Sequence, residues 1–223
     1  MIELKNVEKT YGLESLGLYN ESITINDGEI VGILGENGSG KTSMLKAIMG
    51  LGEIQDGEIL IDGKPVTKQY EKMSFITEEG SFFPNMTPYE YGYFLADFIP
   101  SFNIDRYSNL IKFFELEPNE KIKTFSTGQK SKLEVSAGFS KGAKYILMDE
   151  PFNGKDMFTR RDFLKLMVSS LKNDETILIT THLIDEIENF LDRAVILRYG
   201  RIKSDFYIDD MREKGKTLAE VMI

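Results

Sequence analysis

The chain has 223 residues, 41% apolar and 11% aromatic, enough for one large domain or two small ones with a substantial core. Its formal net charge of -9, with no long Lys/Arg run, argues against nonspecific attraction to nucleic acid or anionic lipid. With no cysteine and a single histidine it can build neither a disulfide framework nor a Cys/His zinc cluster, and a reducing cytosol suits it.

In chain order, the opening MIELKNVEKT lacks an apolar signal core. Nowhere are there the roughly 18 consecutive apolar residues of a membrane span, so the chain is not expected to be an integral membrane protein. IELKNV, ESITI at 21–25 and EILIDGK at 58–64 are short alternating strands, the last turning at Asp62 and Gly63, and they predict an antiparallel layer. Between the second and third of these, GEIVGILGENGSGKTSMLKAIMG begins as an apolar strand and breaks at a Gly-rich turn. It continues with helical spacing at Met44, Leu45, Ile48 and Met49.

From about Pro84 to Lys123 the pattern becomes helical and rich in aromatics, including Tyr89, Tyr93, Phe94, Phe98 and Phe113. KYILMDEP and TILITTH are two further buried strands, and the residues from about Asp209 to Ile223 are expected to form one short closing helix. Apolar strands alternating with helical segments predict an α/β fold: a mainly parallel sheet with helices on both faces, an antiparallel β layer, and a helical insertion at about 84–142 within a single domain over 1–223. There is no internal repeat, low-complexity tract or linker, and a separate C-terminal regulatory domain is not expected within these residues.

Gly35-Glu-Asn-Gly-Ser-Gly40-Lys41-Thr42 matches the P-loop pattern GxxxxGK[ST] in the strand-to-helix context that the motif requires. Its glycines let backbone N–H groups converge on phosphate oxygens, and the helix N-terminus adds partial positive charge. Gly35, Glu36, Asn37, Gly38, Ser39, Gly40, Lys41, Thr42 and Ser43 are the candidate nucleotide-binding residues. Lys41 would neutralise the β and γ phosphates, and the Thr42 hydroxyl would ligate Mg²⁺.

The strand Tyr145-Ile-Leu-Met-Asp149-Glu150-Pro151 ends in two carboxylates. Asp149 is placed to hold Mg²⁺ through water, and Glu150 to polarise an attacking water. A solvated acidic turn would read the same way if it stood alone. His182 follows the third apolar strand at the ligand-binding end of an open α/β sheet; taken by itself, it is either a packing residue or part of the chemistry.

Many P-loop enzymes share these junctions; Phe125-Ser126-Thr127-Gly128-Gln129-Lys130 discriminates among them. Ser126 and Gln129 are spaced as a helix capping box, and that alone would account for both. The run also resembles the signature sequence of ATP-binding cassette (ABC) ATPases, usually LSGGQ, and lies shortly before the Asp-Glu strand as in that family. The resemblance extends from Tyr11 to about Gly200.

It implies a P-loop NTPase of ABC architecture that binds and hydrolyses ATP with Mg²⁺. Tyr11 would stack on adenine, Ser126, Gly128 and Gln129 would face the γ-phosphate held by an opposite subunit, and Phe152 to Asp156 would cross the dimer interface. His182 would act as the switch histidine. The implied partners are a second ATP-binding subunit and an integral membrane permease, docked through the aromatic stretch at 84–114, with no nucleic acid. That places the chain at the cytoplasmic face of the membrane.

Three positions depart from the family pattern. Glu78 stands where glutamine is usual; as a carboxylate it could ligate Mg²⁺ but, ionised, donates no hydrogen bond. Thr127 replaces the first glycine of the signature pair, and Lys155 an apolar residue. The STGQK form followed by Lys132 looks most like ATPases of bacterial ABC-2-type exporters. A soluble ABC ATPase acting on a cytosolic complex, or a small-molecule P-loop kinase, are the alternatives. The first would carry a coiled-coil insertion or a second cassette, the second an acceptor pocket in place of a signature helix.

Overall fold

The structure is a computed structural model, and it describes residues 1–11, 15–77, 82–151, 164, 174–182 and 184–222. Two sheets form it. β1 (Ile2–Tyr11), β2 (Ser15–Ile25), β4 (Asp56–Ile61) and β5 (Lys64–Pro65) make an antiparallel sheet in the order β2-β1-β4-β5.

The second sheet contains β3 (Ile30–Leu34), β6 (Met73–Ile76), β7 (Tyr145–Asp149), β8 (Thr176–Thr181), β9 (Arg193–Arg198) and β10 (Arg201–Tyr207), in the order β10-β9-β3-β8-β7-β6. All its pairings are parallel except β9 with β10. The expected antiparallel layer and mainly parallel core are both present.

The parallel strands are apolar on both faces because both are covered. Val31, Ile33, Leu147, Leu178 and Val195 point to one side. There they meet Met44, Leu45 and Ile48 of α1 (Lys41–Ile48) and the inner face of the antiparallel sheet, through Ile2, Leu4, Ile25 and Ile61. Ile30, Leu34, Ile146, Met148, Ile177 and Ile179 point the other way, onto α2 (Pro88–Phe98), α3 (Ile104–Phe113) and α4 (Thr127–Ser140).

α2 starts at a capping box between Thr87 and Glu90, with Pro88 at its first position. Two contacts fasten α3 to the start of β8 and to the end of α4. Arg106 of α3 makes a two-pronged ion pair with Glu175, with N–O distances of 2.6 and 3.2 Å, and Asn103 donates its backbone N–H to Ser140 O at 2.7 Å.

Beyond β8, α5 (Ile184–Ile187) leads to the β9–β10 hairpin, which turns through Tyr199 and Gly200, both left-handed. The expected single closing helix is instead two: α6 (Ile208–Glu213) and α7 (Leu218–Val221). Gly215 takes φ +68 between them, and Thr217 with Glu220 forms a fresh capping box. A left-handed glycine ends one helix and the new cap begins the next. Among the described residues no helix is long and apolar enough to cross a membrane.

Candidate functional site

β3, β8 and β7 are adjacent and parallel, so their C-terminal ends fall on one edge of the sheet. Register places Leu34 beside Thr181 and Asp149 beside Thr180. That edge is where an open α/β sheet takes its ligand.

From β3 the chain enters residues 35–40. Ser39 N–H donates to Glu36 O at 3.1 Å, closing a tight turn, and Gly200 N–H of the hairpin donates to Ser39 O at 2.9 Å, bracing it from behind. A Cβ on Gly35 would lie 2.3 Å from Leu197 O, and one on Gly40 would lie 2.4 Å from Gly17 O, so neither position admits a side chain. A Cβ on Gly38, by contrast, would meet nothing within 4 Å. The loop is therefore pressed against protein on one side and open on the other.

Gly40 caps α1 with φ +109 and offers no side chain to the helix's first N–H groups. These donors are left for an anion, as a phosphate site requires. The Ser39 hydroxyl is buried without a hydrogen-bond partner, a second polar group available to a ligand. Lys41 is 6% exposed; its ammonium donates to Gly35 O at 2.9 Å and Glu36 O at 3.1 Å, and lies 3.4 Å from Glu150 Oε1. Glu36, Asn37 and Gly38 are exposed on the loop, and Ser43 is half-buried one residue beyond Thr42.

The Thr42 hydroxyl donates to Asp149 Oδ1 at 3.0 Å. A hydroxyl and a carboxylate so placed beside a phosphate cradle suit Mg²⁺, which keeps several waters and needs few protein oxygens. Among the described residues no cluster of three or more His, Asp or Glu could hold a metal unaided. The oxygen set thus fits an ion that arrives with phosphate better than a permanent metal.

Glu150 follows β7 with φ +45, a left-handed conformation uncommon for a residue with a side chain. Its Oε2 lies 3.0 Å from His182 Nδ1, so one carboxylate touches both Lys41 and the lone histidine. His182 is not a core packing residue: its side chain is 45% exposed at the mouth of the site.

Sequence reasoning missed Thr180. It is fully buried, accepts from Glu150 N–H at 2.9 Å and donates to Asp149 Oδ1 at 2.7 Å. Nothing in TILITT distinguishes it from ordinary β-branched strand filling; only the pairing of β7 with β8 does.

The signature residues lie apart from this cluster. Ser126 caps α4: its hydroxyl accepts from Gln129 N–H at 3.2 Å and its own N–H donates to Gln129 Oε1 at 2.9 Å, the expected capping box. Gly128 sits in the first turn, and a Cβ there would be 4.0 Å from Ser126 Oγ. Among the described residues no hydrogen bond joins this turn to the phosphate loop. Tyr11 closes β1, but its side chain, Glu78 and Phe152 to Asp156 all lie outside the described residues.

Known proteins give a consistent picture. Residues 18–153 match the family model described as ABC transporter. The chain is 32% identical over 218 residues to the ABC transporter ATP-binding protein YtrB of Bacillus subtilis (strain 168), covering 96% of this chain and 74% of that protein.

A solved structure described as that of the ATP binding subunit of an ABC transporter superposes with a TM-score of 0.87 at 26% identity, covering 99% of this chain and 97% of the other. A dimeric post-hydrolysis state of the ATP-binding cassette MJ0796, bound to ADP and Pi, superposes with a TM-score of 0.82 at 26% identity, covering 93% and 99%. Relatives include ATP-binding proteins of both a lipopolysaccharide export system and a spermidine/putrescine import system. By family match, fold and phosphate-site geometry together, this chain belongs to the ABC transporter family as an ATP-binding, ATP-hydrolysing subunit.

Proposed function

We propose that this chain uses Mg²⁺-ATP to power a separate integral membrane permease, working as an exporter, with two ATP-binding subunits closing on nucleotide between them. The observation that carries the reading is the cluster at the ends of β3, β7 and β8: Thr42 against Asp149, and Glu150 touching both Lys41 and His182.

In this reading the open side of residues 35–43 binds the phosphates and Lys41 neutralises their β and γ oxygens. Mg²⁺, when bound, supplies charge neutralisation on the same oxygens; Thr42 and Asp149 would hold it, with Glu78 as a further oxygen. Glu150 accepts a proton from the attacking water, and His182 beside it hydrogen-bonds the γ-phosphate. Tyr11 stacks on adenine. Ser126, Gly128 and Gln129 at the start of α4 contact the γ-phosphate bound by the partner subunit, so a capped helix start and an anion site are one structure.

Residues 84–142 serve as the helical subdomain. Tyr89, Tyr93, Phe98 and Phe113 are about half exposed or more on it, which supports permease docking there. Docking would hold the chain at the cytoplasmic face of the membrane. Export rests on the STGQK signature form.

Glu150→Gln should retain ATP binding, lose most turnover and form an ATP-dependent dimer on size-exclusion chromatography. Hydrolysis at the parent rate would remove Glu150 from the role. For transport, the chain should co-purify with an integral membrane protein that stimulates its ATPase; recovery of ribosomal proteins alone would sink that part.

A further inference from the structure

We infer that Thr180 is a positioning residue for hydrolysis, aiming the Glu150 carboxylate and orienting Asp149 through a single hydroxyl. The inference rests on the proposed roles of Asp149 and Glu150.

Glu150 reaches both Lys41 and His182 from a left-handed turn immediately after β7, with φ +45. Such a conformation persists in a residue with a side chain when its surroundings fix it. Thr180 Oγ1 supplies that restraint by accepting the Glu150 backbone N–H at 2.9 Å.

The hydroxyl has one proton to donate, and the shorter of its two acceptor contacts takes it: Asp149 Oδ1 at 2.7 Å, against Met148 O at 3.4 Å. Asp149 Oδ1 also accepts from Thr42 at 3.0 Å. A continuous chain therefore runs from Glu150 N–H through Thr180 and Asp149 to Thr42. It joins the backbone of the proposed water-activating residue to the two proposed Mg²⁺ oxygens. Thr180 is fully buried on the second strand of the β7–β8 pair, so its rotamer is held by packing.

Replacing Thr180 by valine keeps shape and β-branching but removes both bonds. Groups that orient metal ligands typically carry 10–100-fold in activity or metal affinity. In full-length Thr180→Val, kcat should fall about tenfold or more and the Mg²⁺ concentration for half-maximal rate should rise about tenfold, while Mg²⁺-free ATP binding stays within about twofold. Thr180→Ser, which restores the hydroxyl without the methyl, should return kcat and Mg²⁺ dependence to within about threefold of the parent. A purely structural role would respond to the lost methyl and leave the Mg²⁺ requirement unmoved.

The inference is overturned if Thr180→Val keeps the parent kcat and Mg²⁺ dependence, or if Thr180→Ser fails to rescue. Should the valine variant not fold, Thr180→Ala carries the same comparison. Glu150→Gln separates the two levels of argument. If it hydrolyses normally, the underlying role of Glu150 falls; if it is inactive while Thr180→Val is unaffected, only the role of Thr180 falls.

Discussion

Glu150 is paired with Lys41, the cation proposed to neutralise phosphate, so Glu150→Gln should tighten nucleotide binding as well as stop turnover. The two groups are 3.4 Å apart, with side chains 6% and 17% exposed. At an effective dielectric of about 20, unit charges at that separation attract by about 5 kcal/mol. Lys41 keeps its bonds to Gly35 O and Glu36 O in the variant, and the amide still reaches His182. Rehydration offsets most of the attraction, leaving about 1.4 kcal/mol, or about tenfold in Kd. The assay is ADP and ATP titration in Mg²⁺-free buffer at protein concentrations too low for dimerisation, which separates the effect from nucleotide trapping. An unchanged or weaker affinity of the variant for ADP would refute the competition between Glu150 and phosphate.

Three further outcomes are expected. Gly35→Ala places a methyl 2.3 Å from Leu197 O and 2.5 Å from Ser39 Oγ; it should lower Tm by about 4–10 °C and abolish nucleotide binding, read by thermal melt with and without ATP. Asp62 is partly buried, which alone would raise its carboxyl pKa. Hydrogen bonds from Lys72, the N-terminal ammonium, Tyr145 and Lys144 outweigh this and hold it well below the usual carboxylate range. A depressed folded value means stability that is complete above the unfolded value, about 3.9, and is lost as pH falls toward the folded one. Urea unfolding should therefore show the parent about 1.5–3 kcal/mol more stable than Asp62→Asn at pH 7, with the gap shrinking below about pH 4. The imidazole NMR signals of His182, the only histidine, should shift when Mg²⁺-ATP is added; signals indifferent to saturating nucleotide would exclude contact with it.

The phosphate loop was legible because it is local: strand, turn and helix are contiguous, and the spacing of its glycines states the backbone geometry directly. Asp149, Glu150 and the capping box of α4 were legible for the same reason. Thr180 was not, since its contact with Asp149 arises from a strand partner more than thirty residues away. β10 was also missed: its residues alternate only between exposed and half-buried, as suits an edge strand with little core to cover, so no strong apolar period marks it. The closing segment misled by composition. Helical formers on either side of Gly215 suggested one helix, although the break at glycine and the Thr217–Glu220 cap were both written in it.

Bonds made at its C-terminal end give α4 the geometry of a lever. Asn103–Ser140 and the Ser74 hydroxyl on Gly138 O fix the last residues of α4, and Arg106–Glu175 ties the adjoining α3 near the start of β8, at the edge opposite the phosphate loop. The first turn of α4, with Ser126, is its more exposed end. An arm of 14 residues is about 20 Å long at 1.5 Å per residue, so a swing of about 10° about the anchored end displaces the tip by about 3.5 Å. That distance separates a made hydrogen bond from a broken one, so under the role proposed for Ser126 a small push on the aromatic surface of this layer would be enough to engage or withdraw it from a phosphate on a facing molecule.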